Sequence, residues 1–283
     1  MNKKLAVAII HGMGNQTQKG FQKTCDALMR SIGKKGVATG DIAYQPIYWA
    51  DVLNNREDDY LDKAHDEGAF HSLGSWVAWN DLRAFVVDYL ADVAAYQRVS
   101  TQGNQGNTAS GTYTKIHEKV RDGISSLRAQ AGEDVPLIVM AHSLGGHIMS
   151  SYIWDIQKNI SVVDAGRNGF ESMNTLAGIV TFGCNIPLFT FAYDSESIKP
   201  ISFPQLAGKA GSQQKKWINV YDADDILGYP LNTLGKYREA GFCKDILINS
   251  GGLLTSWNPL SHARYWTDDD FVEIAADFLN NLL

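Results

Sequence analysis

The sequence predicts an α/β fold in which a mostly parallel central sheet of about six strands carries helices on both faces. Three observations support this. Short apolar runs recur along the chain, each bounded by glycine or polar residues and each short enough for a strand buried on both sides. Amphipathic helical patterns alternate with them, as parallel strands require of their connections. The 283 residues are 45% hydrophobic, which supplies a core for such a sheet and excludes disorder by composition. A single domain, residues 1–283, is expected, with a helical insertion over residues 51–112.

Leu5 to Ile10 reads as the first strand. Lys3 and Lys4 precede it, but the apolar run passes directly into His11-Gly12-Met13-Gly14 without the small-residue cleavage site of a signal peptide. Phe21, Cys25, Leu28, Met29 and Ile32 then recur at helical spacing from about Thr17, ending at Gly33. Ile42 to Trp49 reads as a second strand, and Pro46 within it points to an edge position or an irregular exit. From Asp51 to about Gly74 the chain is polar and acidic and takes no firm assignment. Trp76, Trp79, Leu82, Phe85, Val86, Tyr89, Leu90, Val93 and Tyr96 mark one long amphipathic helix with an aromatic face. Residues 101–111 are rich in Gly, Asn and Gln and are the best candidate for a loop. Helical spacing returns at Ile116, Val120, Ile124 and Leu127. Further strands are expected at Val135–Ala141, Ala177–Phe182 and Trp217–Tyr221, with Ile246-Leu247-Ile248 a weaker sixth. The tail from Asp268 to Leu283 sets Phe271, Ile274, Ala275, Phe278 and Leu282 on one helical face.

Composition excludes several classes of partner. The 25 Lys+Arg against 31 Asp+Glu leave a net charge of −6, and no basic run supplies the field that nucleic acid requires. No window approaches the roughly 18 apolar residues of a membrane span, so a cytoplasmic protein without an integral membrane segment is expected. Cys25, Cys184 and Cys243 are odd in number and lack any C-x-x-C pairing, which suits a reducing compartment and suggests neither a disulfide scaffold nor a zinc ribbon. The acidic run Asp268-Asp269-Asp270 opens a helix, where the macrodipole favours carboxylates without any metal. Oligomeric state is not legible.

Chemistry concentrates in Val135 to Met149. A buried strand ends at Ala141, Ser143 follows in a turn of small residues, and helical spacing resumes through Ile148, Met149, Tyr152 and Ile153. A serine between a strand and a helix, flanked by small residues, is the context of a nucleophile elbow, where a strained backbone exposes the hydroxyl. The pattern is G-x-S-x-G with Ala141 in its first position. The alternative reading of Ser143 as a helix N-cap does not call for the glycine pair behind it.

With these residues the chain resembles the α/β-hydrolase family, in its lipase and serine-esterase branch. The resemblance implies the rest of a catalytic apparatus. His11-Gly12-Met13-Gly14 is similar to the family's oxyanion loop, which implies main-chain N–H donors at Met13 and Leu144. The family order of serine, acid and histidine implies His262 as the base, in a segment Ser261-His262-Ala263-Arg264-Tyr265-Trp266 similar to lipases. The acid is implied to lie among Asp222, Asp224 and Asp225, with Asp225 favoured by Ile226, Leu227 and Pro230 after it, and Asp222 next. His11 and His142 are expected to pack or hydrogen-bond, His147 to point elsewhere, and His65, His71 and His117 to lie on the surface.

The activity implied is cleavage of a carboxylic ester, on a small-molecule or lipid substrate, through a Ser-Asp-His triad and an acyl-enzyme, with no cofactor and no metal. The same residues serve an acyltransferase or a thioesterase. A non-catalytic binding protein of this fold would be expected to have lost its serine or histidine, and both are present. The aromatic helix 76–96 suits core packing, dimer packing or a lid over an apolar acyl pocket, with loop 101–111 as its hinge.

Overall fold

The computed structural model describes residues 3–13, 17–53, 93–96, 111–166, 168–203, 216–250 and 259–283. In chain order the strands are β1 (Leu5–Ile10), β2 (Ile42–Ile47), β3 (Leu137–His142), β4 (Leu176–Phe182), β5 (Trp217–Asp222) and β6 (Cys243–Ile248). The helices are α1 (Gln18–Lys34), α2 (Gly111–Ala131), α3 (Leu144–Gln157), the short α4 (Ile186–Phe189) and α5 (Gly235–Ala240), and α6 (Asp269–Asn280). The strands form one sheet in the order β2-β1-β3-β4-β5-β6, and every pairing is parallel.

The apolar runs are continuous because the sheet is covered twice. Leu5, Val7 and Ile9 of β1 pack with Phe21, Cys25 and Leu28 of α1 and with Phe271, Ala275 and Phe278 of α6. Ala6, Ala8 and Ile10, on the opposite face, pack with Ile116, Val120 and Ile124 of α2 and with Ile148, Met149 and Tyr152 of α3. Each large apolar side chain so buried contributes roughly 1.5–3 kcal/mol, so a polar residue on either face of β1 would be costly.

Helix boundaries follow local chemistry. Thr17 caps α1, its hydroxyl accepting from the Gly20 N–H at 3.1 Å. Asp268 caps α6, its carboxylate accepting from the Phe271 N–H at 2.9 Å. At the sheet margins, β2 carries Pro46 and β6 is longer than the three apolar residues expected. Lys244 and Asp245 interrupt the apolar pattern of β6 because an edge strand is only half covered.

Most of the expected insertion, the aromatic helix 76–96 and the loop 101–111 lie outside the described residues, as do His65 and His71. At the end of that stretch, Tyr96 is buried, stacks on Tyr113 with ring centroids 4.8 Å apart, and places its hydroxyl 2.8 Å from Nε2 of His117. His117, expected on the surface, is fully buried. It falls on the inward stripe of α2 with Tyr113, Ile116 and Val120, and the Tyr96 hydroxyl pairs with its Nε2. All three cysteines are buried and none forms a disulfide. Among the described residues no helix is long and apolar enough to cross a membrane.

The strand order positions the site. From β1 the chain runs out to β2 at the margin, then crosses back to β3 on the other side of β1. The segments leaving β1 and β3 therefore diverge and open a crevice at the carboxyl edge of the sheet, where ligands of open α/β sheets bind.

Candidate active site

Only Ser143 separates β3 from α3, and it makes the turn with φ 53° and ψ −127°. A non-glycine residue held there costs of the order of 1–3 kcal/mol. The turn is fixed on both sides. The Ser143 N–H donates to the Phe182 carbonyl at 3.0 Å, extending the sheet ladder by one residue, and the Ser143 carbonyl accepts from the Gly146 N–H at 2.9 Å. Ser143 stands at the N-cap position of α3, yet its side chain makes no capping bond. Two glycines let the β1 segment touch this turn. A Cβ on Gly145 would fall 2.5 Å from the His11 carbonyl oxygen, and one on Gly12 would fall 2.5 Å from Cβ of Ser143.

The side chain that the turn releases meets His262. Nε2 of His262 lies 2.6 Å from Oγ of Ser143, and Nδ1 lies 2.9 Å from both carboxylate oxygens of Asp225. With Nδ1–H directed at the carboxylate, Nε2 is bare and accepts the Ser143 hydroxyl proton. All three residues are buried, at 0%, 5% and 4% exposure for Ser143, His262 and Asp225, so their charges are poorly screened by water. Burial pushes the Asp225 carboxyl up. The hydrogen bond and charge of His262, the Leu227 N–H and the Tyr265 hydroxyl together outweigh it, leaving the group below the ordinary carboxylate value.

Asp222 has a different occupation. One of its oxygens accepts from the Ser250 N–H at 2.7 Å and the Ser250 hydroxyl at 2.8 Å, and the other accepts from the Asp224 N–H at 2.9 Å. Its carboxylate ties the end of β5 to the end of β6, so the structure brings Asp225 rather than Asp222 to the imidazole. Beyond Asp225 the loop is held by Asp245 of β6, which accepts from Asn219 Nδ2 and from the N–H groups of Leu231 and Asn232, each at 2.8 Å.

Met13 and Leu144 lie on the two segments that the glycines bring together. Leu144 is the first residue of α3, where main-chain N–H groups lack intrahelical acceptors, and among the described residues neither N–H finds an acceptor. Gly14 lies outside the described residues.

The other histidines serve the frame. His11 is fully buried, stacks on Trp49 with centroids 5.1 Å apart, accepts the Trp49 N–H on Nε2 at 3.2 Å and donates from Nδ1 to the Gly12 carbonyl at 2.6 Å. Burial lowers its pKa to about 4. His142 donates from Nε2 to the His262 carbonyl at 2.7 Å, so the residue preceding the serine anchors the backbone of the histidine. Burial and then the neighbouring His262 lower its pKa to about 3. His147 stacks on Phe189 with centroids 3.8 Å apart.

Two contributors were not singled out from sequence: Tyr265, whose hydroxyl reaches Asp225, and Asp245 as the clamp on the acid loop. The tyrosine three residues after His262 was the available signal, since a short 3-10 turn places both on one side. No protein-family model matches the chain, and no curated protein matches it. Among solved structures the chain is similar to Est1E from Butyrivibrio proteoclasticus, at 11% identity and a TM-score of 0.41, over 100% of this chain and 89% of that one.

Proposed function

We propose that the protein is a serine hydrolase that cleaves a carboxylic ester. The observation that carries this reading is the unbroken hydrogen-bond chain from Asp225 through His262 to Ser143, ending on a serine held in a strained turn. A hydroxyl 2.6 Å from a bare imidazole nitrogen is set for deprotonation as it attacks a carbonyl carbon. His262 takes the proton, and Asp225 stabilises the imidazolium without itself being protonated. The N–H groups of Met13 and Leu144 face the developing oxyanion, where each such donor is worth on the order of 3 kcal/mol in the transition state. His262 then protonates the departing alkoxide. Water attacks the acyl-serine by the same route in reverse.

Labelling with a fluorophosphonate probe tests the reading. The wild type is expected to label, Ser143→Ala is expected not to, and turnover of p-nitrophenyl esters should fall on the order of 10⁶-fold in the variant. A Ser143→Ala protein with undiminished esterase activity would overturn the mechanism. An ester chain-length series on the unlabelled wild type then defines the acyl group.

A further inference from the structure

Tyr265 lies on the same 3-10 segment as His262, within Pro259–Thr267. At three residues per turn, positions 262 and 265 stand on one side of that segment. The Tyr265 hydroxyl makes two contacts: it lies 2.9 Å from Oδ2 of Asp225 and 2.9 Å from the main-chain N–H of Asp222. The direction of both bonds is forced. A main-chain N–H can only donate, so it occupies a lone pair of the phenol and leaves the phenol's single proton for the carboxylate. The Asp225 carboxylate is thereby filled, with Oδ1 taking the Leu227 N–H, Oδ2 taking Tyr265, and both facing Nδ1 of His262.

We propose that Tyr265 is a positioning residue for the Ser143, His262 and Asp225 array, and that its hydroxyl, by holding Oδ2 and drawing charge from it, sets how strongly the Asp225 carboxylate holds the Nδ1 proton of His262. The inference rests on the reading that this array is catalytic. A hydrogen bond to a carboxylate disperses its charge, so fewer donors mean a more negative oxygen beside the imidazole and a higher imidazole pKa. The phenol stays protonated throughout, because burial and then the Asp225 charge push its pKa far above the ordinary value.

The other groups facing His262 are accounted for. From the turn after β3 comes Ser143, and from the end of β3 comes His142, whose ring centroid is 4.8 Å from that of His262 and which burial keeps neutral. His11 stands behind His142 and is neutral for the same reason. From the β5 turn come Asp225 and Asp222, and the Asp222 carboxylate is committed to Ser250 and Asp224. Among the charged side chains of the described residues, Asp225 is the one that touches the imidazole, and Tyr265 is the one hydroxyl on its carboxylate.

The test replaces the phenol in two opposite ways. Tyr265→Phe keeps the ring and its packing on Phe182 and removes the donor. Site-specific 3-fluorotyrosine at position 265 keeps the ring and makes the hydroxyl a stronger donor. The readout is the titration midpoint of the His262 ring by NMR, together with the pH dependence of fluorophosphonate labelling. Tyr265→Phe should raise the midpoint by about one unit and carry the acid limb of labelling up with it, at a plateau about tenfold lower as Asp225 loses an anchor. The fluorinated protein should shift both midpoints downward. Unchanged midpoints in the variants that fold would overturn the proposal and leave Tyr265 a packing residue. If the wild type titrates but never labels, the hydrolase reading fails, while the NMR midpoints still decide the role of the phenol.

Discussion

The turn after β3 and the turn after β5 each deliver one side chain to His262, and they do so by different means. After β3 a single residue carries the turn, and its backbone is strained to φ 53° so that its side chain meets His262. After β5 no strain is needed, but two buried carboxylates three positions apart hold separate roles. Asp222 is consumed by the neighbouring strand end, and Asp225 is left for His262. A strained turn is a property of the local chain and must be bordered by small residues. The division between two aspartates is a property of distant partners, Ser250 on one side and His262 on the other.

The sharpest way to break this comparison is to neutralise the two aspartates separately. Asp225→Asn should lower ester turnover on the order of 10⁴-fold, because the amide can present the wrong group to Nδ1. Asp222→Asn should leave turnover within about tenfold and lower stability by about 1–3 kcal/mol, since one donor of Ser250 or Asp224 loses its acceptor. Steady-state kinetics and urea melts on both variants separate the outcomes, and equal kinetic losses would erase the distinction.

The elbow is sensitive to volume instead of charge. Gly145→Ala places a methyl 2.5 Å from a main-chain oxygen that cannot rotate away. It should cost about 1–3 kcal/mol of stability and about 100-fold in kcat/KM as the Met13 segment shifts. Kinetics matching the wild type would mean that the two segments need not touch.

Acid should separate the turns as well. His142, beside the serine, and His11 behind it keep pKa values of about 3 and about 4 in the folded protein against an ordinary 6.5. Between those values the unfolded chain binds protons that the folded chain does not, so stability falls as pH drops below 6.5, by about 2 kcal/mol for each histidine by pH 5. Asp225 has a lowered pKa, so its contribution is present above the ordinary carboxylate value near 3.8 and is lost only as pH falls through the still lower folded value. Urea melts from pH 7 to pH 4 should show the histidine slope, and His142→Gln should flatten it by about one proton.

The smallest effect isolates strain. Ser143→Gly should abolish labelling and raise stability by about 1 kcal/mol, because glycine adopts the same φ without a Cβ penalty. A loss of stability would show that the serine side chain holds the turn rather than being held by it.

What could be read from sequence follows the same division. The five longer apolar runs and the serine turn were legible because both-face burial and a tight turn each write a short-range pattern. β6 was half legible, since Lys244 and Asp245 sit in it to face solvent and to clamp Leu231 and Asn232. His117 was misread because a buried histidine looks like a surface one until its partner, Tyr96, is known. The choice of Asp225 over Asp222 leaned on family likeness, since nothing within the segment distinguishes a carboxylate that will meet Ser250 from one that will meet an imidazole.

The burial of every native thiol has a practical consequence. Burial raises the pKa of Cys25 far above the ordinary thiol value and that of Cys184 to about 12, and Cys243 is buried as well. Thiolate, the form that maleimides react with, is therefore scarce at Cys25 and Cys184, and Cys243 is shielded by burial. A cysteine introduced on the outer surface would take up a dye selectively, without first stripping the wild-type cysteines, and distance measurements by fluorescence could begin from the native background.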